Sequence, residues 1–205
     1  MTTVAQGQMR NSWSEALERA QEYSPFLARM LRRHESLVPH LALGEADLAF
    51  QMALDAGEEA SGTAQALRLQ RGAVALVTGL ADLAGAWDLD RVTSTLSDFA
   101  DSAIEQALQA AFAERYPGEE PCGFAVIALG KHGSRELNYS SDIDPILIFD
   151  PQTLPRSGRE EPVEAAVRLA RRMVELLSAR DGDGYVFRVD LRLRPHGNGG
   201  PLASS

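Results

Sequence analysis

A surplus of basic residues is missing from this chain of 205 residues: 20 Lys and Arg stand against 29 Asp and Glu, a formal net charge of −9. Binding a nucleic-acid backbone needs Lys and Arg in excess over a face, so no nucleic-acid partner is expected, while a locally basic pocket can still take a nucleotide. Cysteine is nearly absent. Cys122 alone cannot close an internal disulfide, and it reads as an inert thiol at a strand edge rather than a nucleophile. There is no long apolar run and no signal-peptide core, so no membrane association is expected and the compartment is read as the cytoplasm. Internal repeats and low-complexity tracts are lacking too. What is left is an ordinary globular composition, 44% hydrophobic and 24% charged, enough for one compact core or for one α/β unit with a helical appendage.

Helical patterning fills the first part of the chain. Residues 1–10, polar and mixed, read as a loose leader. Ser12 and Ser14 are candidate N-caps, with Trp13 as a staple, for a helix carrying Ala16, Leu17 and Ala20. Pro25 suits the first turn of a second helix through Phe26, Leu27, Met30, Leu31 and His34, which Pro39 is expected to end. Further helices are predicted near 45–55, 62–84 and 88–115. The last carries an apolar stripe from Leu96 through Ala100, Ile104 and Leu108 to Phe112, and Gly72, Gly79 and Gly85 weaken the one before it. Tyr116, Pro117 and Gly118 punctuate the chain, placing a boundary between a helical region, 1–116, and a second region, 117–205.

In that second region Phe124–Leu129 reads as an apolar strand, Gly130–Ser134 as a glycine-bearing turn, and the run opening at Asp142 as another strand. Alternation across a strand puts Asp142 and Asp144 on one face with Ile146 and Ile148, and Ile143, Leu147 and Phe149 on the other. Two carboxylates side by side are costly without cations, and hard oxygen ligands of this kind suit Mg²⁺. After an amphipathic helix with Val163, Ala166, Ala170, Met173 and Leu177, and a tight turn at Asp181–Gly184, residues 185–194 alternate apolar and ionic and read as a strand. If it lies beside the Asp142–Asp144 strand, Asp190 joins as a third carboxylate, and three such groups can hold two divalent ions for an in-line displacement at phosphorus. Arg188, Arg192 and Arg194 on its ionic face offer planar donors to phosphate oxygens. Gly133 leaves room for a phosphate against the backbone, and Ser134 supplies a hydroxyl or caps a following helix.

A glycine-serine pair, then D-x-D, then a lone acid on a later strand resembles the DNA polymerase β-type nucleotidyltransferase superfamily. The longer runs ALGKHGSRELNYSSDIDPILIFD and GYVFRVDLRLRPHGNGGPL, with SPFL at Ser24–Leu27, resemble the bifunctional glutamine synthetase adenylyltransferase/adenylyl-removing enzyme family, in its amino-terminal, adenylyl-removing half. The resemblance implies an α+β fold, a helical amino-terminal region packed on a mixed-sheet nucleotidyltransferase domain. It implies Asp142, Asp144 and Asp190 as catalytic metal ligands for Mg²⁺, and Gly133, Ser134, Arg192 and Arg194 as nucleotide and phosphate contacts. The implied reaction is phosphorolysis, in which phosphate attacks the adenylylated tyrosine of glutamine synthetase and ADP leaves; adenylyl addition from ATP is the alternative. A PII-type signal protein is a further expected partner. Two residues depart from the family wording, Pro145 after the second aspartate and His132 in the loop. Family members are several times longer, so a fragment or truncated product is expected, and with it a non-catalytic docking module as a second reading.

Competing readings are excluded or kept on chemical grounds. Ile146 and Ile148 stand where an EF-hand needs oxygen ligands. Lys131 lacks the spacing of a Walker lysine. His34, His40 and His196 have no ligand spacing and read as surface or loop residues, while His132 in the loop could reach a phosphate. Arg192 and Arg194 fit either phosphate contacts or structural pairs with Glu136 or Asp142.

Overall fold

The computed structural model describes residues 2–195 and 197–205, with side chains from Ser12 onward other than Asn198. Helices α1 (Thr2–Tyr23), α2 (Pro25–Arg33), α3 (Val38–Leu43), α4 (Ala46–Leu54), α5 (Thr63–Leu83) and α6 (Leu89–Arg115) come first. They are followed by β1 (Phe124–Leu129), α7 (Gly130–Gly133), β2 (Asp144–Phe149), α8 (Pro162–Ser178) and β3 (Ala203–Ser204). This is the α+β arrangement expected from the sequence.

The helical part corrects several local expectations. The backbone of residues 2–10 is helical rather than a loose leader, because Ala5, Gln6, Gln8, Met9 and Arg10 are good helix formers; Ser12 and Ser14 are therefore internal to α1 and not its caps. Ser24 does cap α2, its Oγ accepting the Leu27 N–H at 3.2 Å, and Pro25 sits in the first turn as predicted. Pro39 does not end that helix. Helix α2 stops at Arg33, a 3₁₀ turn follows at Glu35–Leu37, and Pro39 lies in the first turn of α3, where a missing N–H costs nothing. Gly44, at φ 80°, closes α3 beneath the Trp13 ring, which is fully buried.

The glycines of α5 are packing sites. A Cβ on Gly72 would lie 3.0 Å from both His34 Nε2 and Met30 Sδ, and one on Gly79 3.3 Å from Leu27 Cδ2, so their bareness lets α2 lie against α5. Gly85, at φ 67°, follows the end of α5. His34 is accordingly buried, 8% exposed, and not a surface residue, while His40 is half-buried beside Glu45; His196 lies outside the described residues.

Burial first, and then the Arg33 charge, pushes the His34 imidazole down to about 4 from 6.5. The unfolded chain takes this proton first, so stability is full above the unfolded value and is lost as pH falls from 6.5 toward 4. Melting temperatures should decline through that window, and His34→Leu should flatten the decline. An unchanged pH slope in the variant contradicts this origin.

The core is continuous across residue 116. On α6, Leu96, Ala100, Ile104, Leu108 and Phe112 are buried as the stripe predicts, Phe99 is buried with them, and α6 packs against α5 and α8. The row Ala166, Leu169, Ala170, Met173 and Leu177 of α8 joins them, as do Ile143, Leu147 and Phe149 from the sheet. Strand order is β1-β2-β3. The β1–β2 pair is antiparallel from Phe124↔Phe149 to Leu129↔Asp144, and β2–β3 is parallel at Leu147↔Ala203 and Ile148↔Ser204.

Residues 185–194 are not a strand. Val186 and Phe187, consecutive, are both buried, and both donate N–H bonds to Leu177 O at 3.0 Å; Val189 makes a single parallel bridge to Ile143, and Leu193 is 57% exposed. Pro145 supplies the reason. Ile143 N–H points to this segment, donating to Arg188 O at 3.0 Å, so two residues on, position 145 faces the same way, and a ladder that continued would need its N–H. Proline has none, and after Asp190 the chain turns away. Asp181 and Gly184 exchange N–H···O bonds of 3.1 Å, the tight turn expected. Among the described residues, no helix is long and apolar enough to cross a membrane.

Candidate functional site

Because Leu129 pairs with Asp144, the end of β1 and the start of β2 lie side by side, and the first turn of α7 sits over the Asp144 carboxylate. Gly130, at φ 57°, makes this possible: a Cβ there would stand 2.8 Å from Asp144 Oδ2. What approaches Gly130 is the chain's own carboxylate, whereas the room expected at Gly133 is for a phosphate. The bare side of Gly133 faces inward, where a Cβ would meet Ala128 O at 2.6 Å, so this glycine seats α7 on β1. Ser134 caps no following helix. It ends α7, its Oγ donating to Gly130 O at 3.2 Å and lying 2.9 Å from Glu136 Oε2.

Two residues hold this turn that sequence reasoning missed or misplaced. His132 is buried, with Nε2 2.8 Å from Asp101 Oδ1, so it pins α7 to α6 and does not reach toward a phosphate. Arg135 has φ 62°, the one non-glycine positive φ among the described residues, and its guanidinium pairs with Asp98 of α6. A left-handed arginine is a conformation usually left to glycine. The neighbouring N–H of Glu136 closes the turn onto Lys131 O at 2.7 Å.

The structure brings the third acid to the first two. Asp190 N–H donates to Ile143 O at 2.9 Å, so Asp142, Asp144 and Asp190 flank one short parallel bridge between segments. Burial first, then the charges of Asp142 and Asp190, hold the Asp144 carboxyl above its ordinary range, with Arg192 opposing. Asp190 is held below its range by the Arg192 side chain, then by the Arg192 backbone N–H at 2.9 Å. Arg192 Nε lies 2.7 and 2.9 Å from the two Asp190 oxygens, and its own pKa is raised by Asp190 first and by Asp142 and Asp144 as well. Arg192 therefore pairs with Asp190, not with Glu136 or Asp142. Arg194 Nη1 donates to Leu191 O at 2.7 Å, and Arg188 Nη2 donates to Ser140 O at 2.7 Å, tying the loop before Asp142 to the segment before Asp190.

Among the described residues, no three His, Cys, Asp or Glu side chains stand close enough together to hold a metal ion. The three aspartates share a field rather than a finished cage, and Asp190 is turned to Arg192. In kind they fit a divalent cation: hard oxygen donors, with mutual repulsion felt at Asp144. Cys122 is exposed, its Sγ 3.3 Å from Thr153 O, and takes no part.

A family model described as "Glutamate-ammonia ligase adenylyltransferase" matches residues 12–205, which include every element of the site. The chain belongs to this family. Its curated relatives include proteins named bifunctional glutamine synthetase adenylyltransferase/adenylyl-removing enzyme. The one from Caulobacter vibrioides is 38% identical, over 97% of this chain and 22% of its own length. Those from Xanthobacter autotrophicus (42%, covering 85% and 19%) and Burkholderia mallei (38%, covering 89% and 22%) are similar to it to the same degree. The chain thus spans about a fifth of the length of these relatives.

Proposed function

We propose that this chain carries the nucleotidyl-transfer site that removes AMP from the adenylylated tyrosine of glutamine synthetase. The supporting observation is the approach of Asp190 to Asp142 and Asp144 across the Ile143↔Val189 bridge, next to the start of α7. Phosphate oxygen attacks the adenylyl phosphorus, the bond from phosphorus to the tyrosine oxygen breaks, and ADP and free tyrosine result. Mg²⁺ held by Asp142, Asp144 and Asp190 would neutralise charge on the phosphoryl oxygens when bound. Arg192, freed from Asp190, then has a planar donor fork for a phosphate, and Arg194 adds a second guanidinium nearby. The seating of α7 on β1 by Gly133, and its pinning by His132, fix the distance of the loop from the acids, so positioning carries much of the rate.

Incubating the chain with adenylylated glutamine synthetase, Mg²⁺ and phosphate should release ADP and restore the unmodified tyrosine. Transfer of labelled AMP from ATP to the synthetase, with no ADP formed from phosphate, would instead support the adding direction. Binding of the synthetase with neither reaction would leave a docking module. A PII-type protein and nucleotides are the other partners this reading includes.

A further inference from the structure

A cavity of about 630 Å³ opens between α2, α5, the turn at Arg180–Val186 and the loop at Tyr139 and Ser140, and none of the three aspartates lines it. Arg29, Arg33, Arg68, Arg71 and Arg180 line it, with only Asp181 and Asp183 of opposite sign, in a chain whose net charge is −9. Three guanidiniums are thus in excess. Arg68 is built in: its side chain is 8% exposed, it pairs with Asp181, and its buried Nε has no hydrogen-bond partner. Arg33 holds Asp183 at 2.6 Å, so both acids of the turn are tied to the helices. Arg71 donates to Tyr139 O at 2.9 Å and lies 5.5 Å over the Phe187 ring, while Arg180 lies 5.6 Å over Tyr185 and Arg29 5.7 Å over Phe26. Stacked in this way the planar groups are held with donor edges still available.

A buried guanidinium N–H without an acceptor is expensive to keep, and an arginine cluster is the recognition element for multivalent oxyanions. The volume is that of a small-molecule site. We infer that this cleft is a binding site for a phosphate-bearing small molecule, separate from the aspartate site, with Arg68 as its buried anchor and Arg180 and Arg29 at its mouth. The turn that forms its wall runs on through Phe187 to Asp190, so an occupant would brace the segment carrying the third acid.

Calorimetric titration of the chain with inorganic pyrophosphate, in EDTA to silence any metal-dependent site, tests this. Saturable binding is expected, weakened about tenfold or more by Arg68→Gln and by the exposed Arg180→Ala, and kept in Arg192→Ala. Competition by AMP would assign the phosphate to a nucleotide, and failure of AMP to compete would assign it to a free oxyanion. No saturable binding, or binding lost in Arg192→Ala and untouched in folded Arg180→Ala, would overturn the inference.

Discussion

Asp144→Asn should abolish ADP release from adenylylated glutamine synthetase, by at least about 10²–10³-fold, and at the same time raise the melting temperature of the metal-free chain at neutral pH. Both effects come from one carboxylate. Its folded pKa is raised by burial and by Asp142 and Asp190, so the folded state binds the proton more tightly than the unfolded one. For an acid of that kind stability is greatest below the unfolded pKa and is lost as pH rises through the folded one; at neutral pH the ionised group is a liability that asparagine removes. The stabilisation should therefore be present at pH 7 and vanish in acid below the ordinary carboxylate range. An Asp144→Asn chain that is less stable at pH 7 in EDTA, or that still releases ADP at the wild-type rate, would contradict the account of this residue. Parallel measurements in Mg²⁺ should show the opposite ranking, because bound cation stabilises only the chain that can hold it.

Gly133→Ala is expected to cost about 1–3 kcal/mol, the usual penalty of overpacking a fixed contact, and to lower ADP release with it. The methyl would lie 2.6 Å from Ala128 O, a backbone atom within β1, so α7 must lift or β1 must shift. Since the same turn sits over Asp144, the displacement reaches the acids. Denaturant unfolding measures the first effect and the ADP assay the second. A variant as stable as the wild type, with unchanged activity, would mean that α7 is not seated by this contact.

The parts of the fold legible in the sequence were those where one force decides. The stripe on α6 and the row from Ala166 to Leu177 on α8 face a core from one side of a long helix, so periodicity places them, while Val163 in the first turn of α8 is exposed. Ser24 with Pro25 specifies a helix start locally. The failures occur where tertiary contact overrides the pattern. Residues 185–194 alternate like a strand, yet Pro145 in the neighbouring segment removes the donor that pairing required, and Phe187 turns inward to meet Phe99 at 5.9 Å. Pro39 reads as a stop and serves as a start, since the residues beyond it, His40 to Leu43, continue as a helix of their own. Gly72 and Gly79 look like weak points of α5 until α2 is seen lying on them.

At the site the acids stand out in the sequence and the contacts around them do not. Asp142, Asp144 and Asp190 carry a spacing and a residue type that chemistry recognises, and the structure does bring their segments together. That Gly130 faces the Asp144 carboxylate and Gly133 faces Ala128 O was not legible, because the direction of an absent Cβ cannot be read from a one-dimensional string. His132 with Asp101, and Arg135 with Asp98, join residues 31 and 37 positions apart, a link that appears only once α6 lies beside α7. A structural pair for Arg192 is one of the two readings its sequence position leaves open, and its partner is Asp190, only two residues away, in place of the more distant Glu136 or Asp142.

Calorimetric titration of Mg²⁺ into the chain with ADP present tests most directly whether the three aspartates act as one cation site. The account predicts saturable binding that is lost in Asp144→Asn and in Asp190→Asn. Equal Mg²⁺ affinity in the wild type and in both aspartate variants would contradict it.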